Sequence, residues 1–293
     1  MAADPRDRDQ ALALLQEYTQ SQSLLKHAYA VEAAMRAAAR RPGADEQAWG
    51  GVGPAEASCV EAGSEGCAEG GTVVVAPGAD AGAGNCDLRF GGGDLALISE
   101  AGVESTIIDA YQQGRALAFE NGETAGSLIQ GFTIERGQIY QGGGIYIKDS
   151  SPTISECLIR FCWASSGYGG GSGGGIYLEN SESDIIDVTF DRNSAGSPYG
   201  ALPYGYGGGV ASIVSNPTFR NVRFLGNSAT AVDHSGECCP EAKGGGAYIS
   251  GGNPGFEDVV FWGNRAGASS GSAAGGGLFV EGSIHLAGVS FVD

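Results

Sequence analysis

Positive charge is scarce in this chain. Its 293 residues hold 16 Lys and Arg against 34 Asp and Glu, a net charge of −18. A shell that acidic repels phosphate backbones and anionic lipid surfaces, which excludes nucleic acid as a partner. Long apolar runs are missing too, and no stretch approaches the length of a membrane span. Met1-Ala2-Ala3-Asp4-Pro5-Arg6-Asp7-Arg8 is polar and acidic where a secretory leader needs a basic end and an apolar core, so no leader is legible. The seven cysteines are an odd number and cannot all pair within one chain. Helical spacing of apolar residues is absent from the glycine-rich part.

What fills that part is a repeat. Glycine triplets stand at Gly142–Gly144, Gly173–Gly175, Gly207–Gly209, Gly244–Gly246 and Gly275–Gly277. Each opens a short apolar run such as Ile145-Tyr146-Ile147 or Ala247-Tyr248-Ile249. From the last Gly of a triplet, Ile159, Phe190, Phe224 and Phe261 follow after 15 residues, and Phe291 after 14. Three residues beyond stand Cys162, Asn193, Asn227 and Asn264. The stretches from there to the next triplet run 10, 13, 16 and 10 residues and are rich in Gly, Ser, Ala and Tyr. Length drift confined to one corner predicts a solvent-facing loop there and stacking of the constant part.

Within the constant part, Val222-x-Phe224, Val259-x-Phe261 and Val289-x-Phe291 place apolar residues two apart, as in a strand with one buried face. Ile154, Ile185, Phe219, Phe256 and Leu286 share one register, with Pro152, Pro217 and Pro254 ahead of the strand they start. Two or three short strands per turn and a repeat of 31 to 37 residues predict an all-β chain, a parallel β-helix of six or seven rungs. Asn193, Asn227 and Asn264 are expected to form a structural ladder, each bonding its equivalent in the next rung, in preference to holding a ligand.

These runs carry a resemblance. GGGIYIKDSSPTISECLI, GGGIYLENSESDIIDVTFDRNSA, NPTFRNVRFLGNSA and NPGFEDVVFWGNRA resemble the right-handed parallel β-helix repeat proteins of secreted bacterial origin, including the polymorphic outer-membrane proteins. Upstream, Thr72 to Gly78, Leu95 to Ser99 and Ser105 to Asp109 look like the first rungs of pectate-lyase-like coils, and Leu128 to Ile134 reads as a degenerate repeat. The resemblance covers about residues 72–293 and implies an extracellular or cell-surface setting. It specifies fold well and chemistry poorly.

Residues 1–53 are different. They hold 4 of the 52 glycines, and Leu12, Leu15, Tyr18, Leu25, Ala28, Val31, Ala34, Met35 and Ala38 recur near helical spacing. One or two amphipathic helices are expected from about Arg8 to Arg40, stopped by Pro42-Gly43, with residues 54–71 as linker. ALALLQEYTQSQSLLKHAYAVEAAMRAAAR followed by DEQAWGGVG resembles the start of HD-domain phosphohydrolases, which implies His27 as one metal ligand. That family's His-Asp pair does not follow Gly53, and one imidazole cannot hold a divalent metal. The chain thus reads as a domain start joined to a coil that stops at Asp293 in mid-repeat, a partial or fused gene product. The rival reading makes the N-terminal helices a cap on the first rung.

The remaining chemistry is thin. Cys157 takes the inward slot of Val188, Val222 and Val259, as a small core residue does. His234, Cys238 and Cys239 share the longest loop, the only cluster with metal-ligand types close together, but it lacks a fourth ligand; a disulfide or free thiols are the alternatives. Glu156, Asp187, Asn221 and Asp258 share one position across four rungs and are candidates to line an outer groove; the alternative is a solvated stripe. The loop tyrosines Tyr168, Tyr199, Tyr204 and Tyr206 have the shape to stack on sugar rings. The signatures of polysaccharide lyases and polygalacturonases are missing. The expectation is a non-catalytic, adhesive scaffold without cofactor, its partner a polysaccharide or another surface protein. Sugar binding or polysaccharide degradation is the runner-up, and an HD-type remnant comes third.

Overall fold

The computed structural model describes residues 71–75, 77–81, 86–165, 169–196, 204–233 and 239–293. The predicted N-terminal helices, with His27, lie outside the described residues. One coil shows the plan. A strand after the glycine triplet, Ile145–Lys148, is followed by Thr153–Ser155, Leu158–Arg160, Trp163–Ala164 and Gly171–Ser172 before the next triplet. Each pairs in parallel with its equivalent one coil on, building five sheets of 7, 8, 8, 5 and 4 strands. We call them sheets I to V in that order around the coil. Sheets II and III thus hold more rungs than the six or seven expected, because the degenerate upstream coils stack as well as the glycine-marked ones.

Register is kept along the axis. Ile154, Ile185, Phe219, Phe256 and Leu286 lie over one another in sheet II. Ile159, Phe190, Phe224, Phe261 and Phe291 do so in sheet III. Alternate residues of sheets I to III point inward and merge into one core in which like stacks on like. The rings of Phe190, Phe224, Phe261 and Phe291 are nearly parallel, with centroids 4.6 to 5.0 Å apart. Cys157 and Cys162 sit in this core, and burial pushes both thiols up to about 12.

The variable corner departs from its expected form as a simple solvent-facing loop. Its described parts are sheets IV and V, which pack on each other around Ala229, Ala231 and Ala242, with Ala266 and Ala268 beside them. Small side chains are what such a thin layer admits. A Cβ on Gly205 would lie 2.5 Å from the Ala195 carbonyl and 2.7 Å from the Thr230 nitrogen. The Gly and Ala content that reads as loop composition is therefore the packing requirement of a second, narrow core.

Corners between sheets are turned by residues in the left-handed region. Between sheets II and III they include Gly131, Glu156, Asp187, Asn221, Asp258 and Gly288, with φ from 50° to 81°. Between sheets I and II they include Asp149, Asn180 and Val214. Asn, Asp and Gly tolerate this geometry; a β-branched residue does not. Val214, at φ 47°, is 65 % exposed and belongs to none of the hydrophobic clusters, so little burial offsets the strain. Val214→Asn, matching Asn180 one coil earlier, is expected to raise the unfolding free energy by about 1 kcal/mol. Equal denaturation midpoints for the two proteins would show that this corner is not strained.

Candidate functional site

The Asn column is a closed hydrogen-bond system. The Asn193 backbone N–H and side-chain Nδ2 both donate to Asn227 Oδ1, at 2.9 and 3.1 Å. Asn227 repeats this toward Asn264 Oδ1 at 2.9 and 3.0 Å. The same Nδ2 atoms reach back to Ile159 O and Phe190 O, each at 2.9 Å. Asn193 and Asn227 are fully buried, so nothing outside the coil can touch them.

The stripe Glu156, Asp187, Asn221 and Asp258 is exposed and has a backbone reason for its polarity. It is the left-handed corner just described, and three of its side chains bond along the axis: Gln130 Nε2 donates to Glu156 Oε1 at 2.8 Å, and Asn221 Nδ2 to Asp187 Oδ1 at 2.5 Å. The polarity at that position follows from backbone conformation.

The outer face of sheet I carries the densest chemistry. Tyr146, Tyr177, Ala211, Tyr248 and Phe279 stand in register there. Ala211 leaves a gap that Tyr206 of sheet V fills, packing on the same cluster. Tyr146 stacks on Tyr177 with centroids 5.5 Å apart, and Arg115 covers Tyr146 at 4.4 Å. Tyr206 stacks on Tyr248 at 4.7 Å and Tyr248 on Phe279 at 5.8 Å. Ring faces are thus turned toward each other along the axis, and Tyr206 is a packing residue; Tyr168 and Tyr199 lie outside the described residues. The hydroxyls are engaged as well. Tyr177 donates to Glu179 Oε2 and Tyr248 to Glu281 Oε2, each at 3.0 Å, and Tyr206 donates to Glu241.

Lys243 closes this network, with Nζ 2.8 Å from Glu241 Oε1 and 2.9 Å from Glu281 Oε1. Its hydrogen bonds hold both carboxyls below the usual glutamate range, and burial first, then Glu241, pushes the Tyr206 phenol up. Carboxyls depressed in the folded state stabilise it above the unfolded pKa of about 4.3, and that contribution fades as pH falls through the folded values. Because both are more than a third exposed, solvent screens the interaction and the amount is a fraction of a kcal/mol. Lys243→Met is expected to flatten the fall of melting temperature between about pH 5 and pH 3; parallel curves for the two proteins would count against the ion network.

Of the candidate metal cluster, His234 and Cys238 lie outside the described residues and Cys239 is exposed. Among the described residues no group of three His, Cys, Asp or Glu is placed to hold a metal ion. No described helix is long and apolar enough to cross a membrane.

One feature of sheet III escaped the sequence reading. Its outward position runs Asp109, Glu135, Arg160, Asp191, Leu225, Trp262 and Val292. Charge gives way to apolar side chains at Leu225, and Trp262 is 53 % exposed. The signal was available: once the Phe column fixes the inward register, Leu225 and Trp262 must face out.

The family model described as right handed beta helix region matches residues 84–283. No curated protein and no solved structure gives a match. The family match begins downstream of the segment that resembles an HD domain. Parallel sheets, like-on-like stacking and a match over more than half its length agree: this chain belongs to the right-handed β-helix family.

Proposed function

We propose that the chain is a non-catalytic scaffold of the cell surface or extracellular space, a stacked coil that presents its outer faces to a surface protein or polysaccharide. The observation that carries this reading is the engagement of its acids. Acid–base catalysis on a sugar chain needs one carboxyl held protonated, with its pKa raised, beside an ionised partner. On sheets I and V the opposite holds: Glu241 and Glu281 are shifted downward by Lys243, and Glu179 is bound by Lys148 and Tyr177. The corner acids Glu156 and Asp187 bond to Gln130 and Asn221 of neighbouring coils. Carboxylates committed to cross-coil bonds support a binding and display role.

The test is turnover. Purified chain incubated with polyuronates, neutral polysaccharides and phosphomonoesters, with and without divalent cations, is expected to release no unsaturated uronides, reducing ends or phosphate. Release that disappears on Asp187→Asn or Asp258→Asn would establish an enzyme and end the scaffold reading.

A further inference from the structure

Outside residues 1–53 the chain has ten basic residues, all of them described. Eight are paired with carboxylates: Arg89 with Glu120, Arg115 with Asp87, Arg136 with Asp109, Lys148 with Glu179, Arg160 with Glu135, Arg192 with Asp191, Arg220 with Asp184 and Lys243 with two glutamates. In so acidic a molecule that is the expected state. The two left over are Arg223 and Arg265, both exposed, with no carboxylate in ion-pair distance among the described residues. They flank Trp262. Arg223 and Leu225 alternate outward on one strand of sheet III, and Val260 and Trp262 lie over them on the next. Arg265 opens the sheet IV strand three residues past Trp262, across the bare corner of Gly263.

Trp262 is not laid bare by a missing strand, whereas Arg265 stands on the end strand of sheet IV. Trp262 lies between Leu225 below and Val292 above, with a strand paired on either side, and still leaves half its surface in water. An exposed Trp between two unpaired Arg, beside half-buried Leu225 and Val260, has the composition of a protein-binding hot spot. A sugar chain would ask for hydrogen-bonding groups where the aliphatic side chains stand.

We infer that this face of sheet III docks an acidic segment of a partner protein, seating an apolar side chain on Trp262 and carboxylates on Arg223 and Arg265. The inference rests on the scaffold reading above and names the partner's chemistry. Charge complementarity selects it: among the described residues these are the Arg and Lys side chains without a carboxylate, in a protein that carries −18 overall, so an anionic segment is drawn to this face.

The test uses the full chain and fluorescent synthetic peptides rich in Asp and Glu with one Phe or Leu, beside the same peptides with Lys for acid, and oligogalacturonate. Acidic peptides are expected to bind, weaken as salt rises, and shift the Trp262 indole N–H resonance. Trp262→Ala is expected to weaken them at least roughly thirtyfold, and Arg223→Glu with Arg265→Glu at least about a hundredfold, with unchanged melting temperature. Equal binding of basic peptides, or binding unaffected by these substitutions, overturns the inference. So does a lack of peptide binding accompanied by self-association that Trp262→Ala abolishes, which would make a second copy the occupant. Peptide silence without turnover overturns this inference alone, whereas oligogalacturonate bound here and cleaved would remove the scaffold reading with it.

Discussion

Asn227→Leu is expected to lower the unfolding free energy by about 3–5 kcal/mol, one of the two largest effects of any single substitution considered. Leucine fills nearly the same volume, so the loss is one of hydrogen bonds. Asn227 Nδ2 donates to Phe190 O and Asn264 Oδ1, and Asn227 Oδ1 accepts from the Asn193 N–H and from Asn193 Nδ2. Removing the carboxamide strands the Asn193 N–H of a fully buried residue, leaves Asn193 Nδ2 with Ile159 O alone, and takes the side-chain donor from the Phe190 carbonyl. Each orphaned buried group costs about 1–3 kcal/mol, whereas a hydrogen bond made on both sides contributes only about 1. For a domain of this size the shift in melting temperature is about 10 °C.

The chemistry at the neighbouring position sharpens the expectation. Cys162 stands at the head of the column, and its backbone N–H still donates to Asn193 Oδ1 at 3.0 Å. A coil therefore tolerates a non-Asn residue where only its backbone N–H has to donate to the next coil. The Asn227 side chain gives toward both neighbouring coils and receives from Asn193, so Cys162→Ala is expected to cost far less than Asn227→Leu. Guanidinium denaturation of the three proteins checks this ordering, and native-state exchange of the Asn193 amide locates the loss. Equal midpoints would mean that the column is not a stabilising element.

Stacking was legible in the sequence because it is written as identity at a fixed spacing. Phe190, Phe224 and Phe261 recur at one distance from their triplets, and the structure places them ring over ring. Two things were not legible, and both are backbone effects. Glu156, Asp187, Asn221 and Asp258 share a column because each turns a left-handed corner, a demand that looks in sequence like a line of functional acids. The Gly and Ala of the variable stretches pack sheets IV and V, a use that composition does not separate from a loop. Trp262 was overlooked for another reason: periodicity identifies what is buried, and an apolar residue on the polar phase of a strand stands out only after that phase is fixed.

The glycine triplets explain why the coil closes where it does, and they yield the other large effect. Gly208→Ala is expected to cost about 3–5 kcal/mol, or to prevent folding, although alanine is the smallest possible addition. A Cβ there would lie 2.5 Å from the Ser228 carbonyl carbon and press equally on the carbonyl oxygens of Ser228 and Gly245. All of these are backbone, one belonging to the sheet IV strand that crosses the triplet and one to the next coil, so no side chain can swing aside. Relief requires the coils to separate, which lengthens the bonds from Gly208 N to Gly244 O and from Gly209 N to Gly245 O, now 3.1 and 3.2 Å. The contrast is Gly255, in a sheet II strand, where a Cβ would meet only the Thr218 Cγ2 at 3.9 Å. Gly255→Ala restricts the unfolded chain without a clash and is expected to stabilise by about 0.4–1 kcal/mol. The same change of atoms therefore takes opposite signs in two positions of one coil. Chemical denaturation of both variants decides it: a Gly208→Ala protein as stable as the parent would mean that sheet IV does not press on the triplet, and the packing account of the repeat would fail with it.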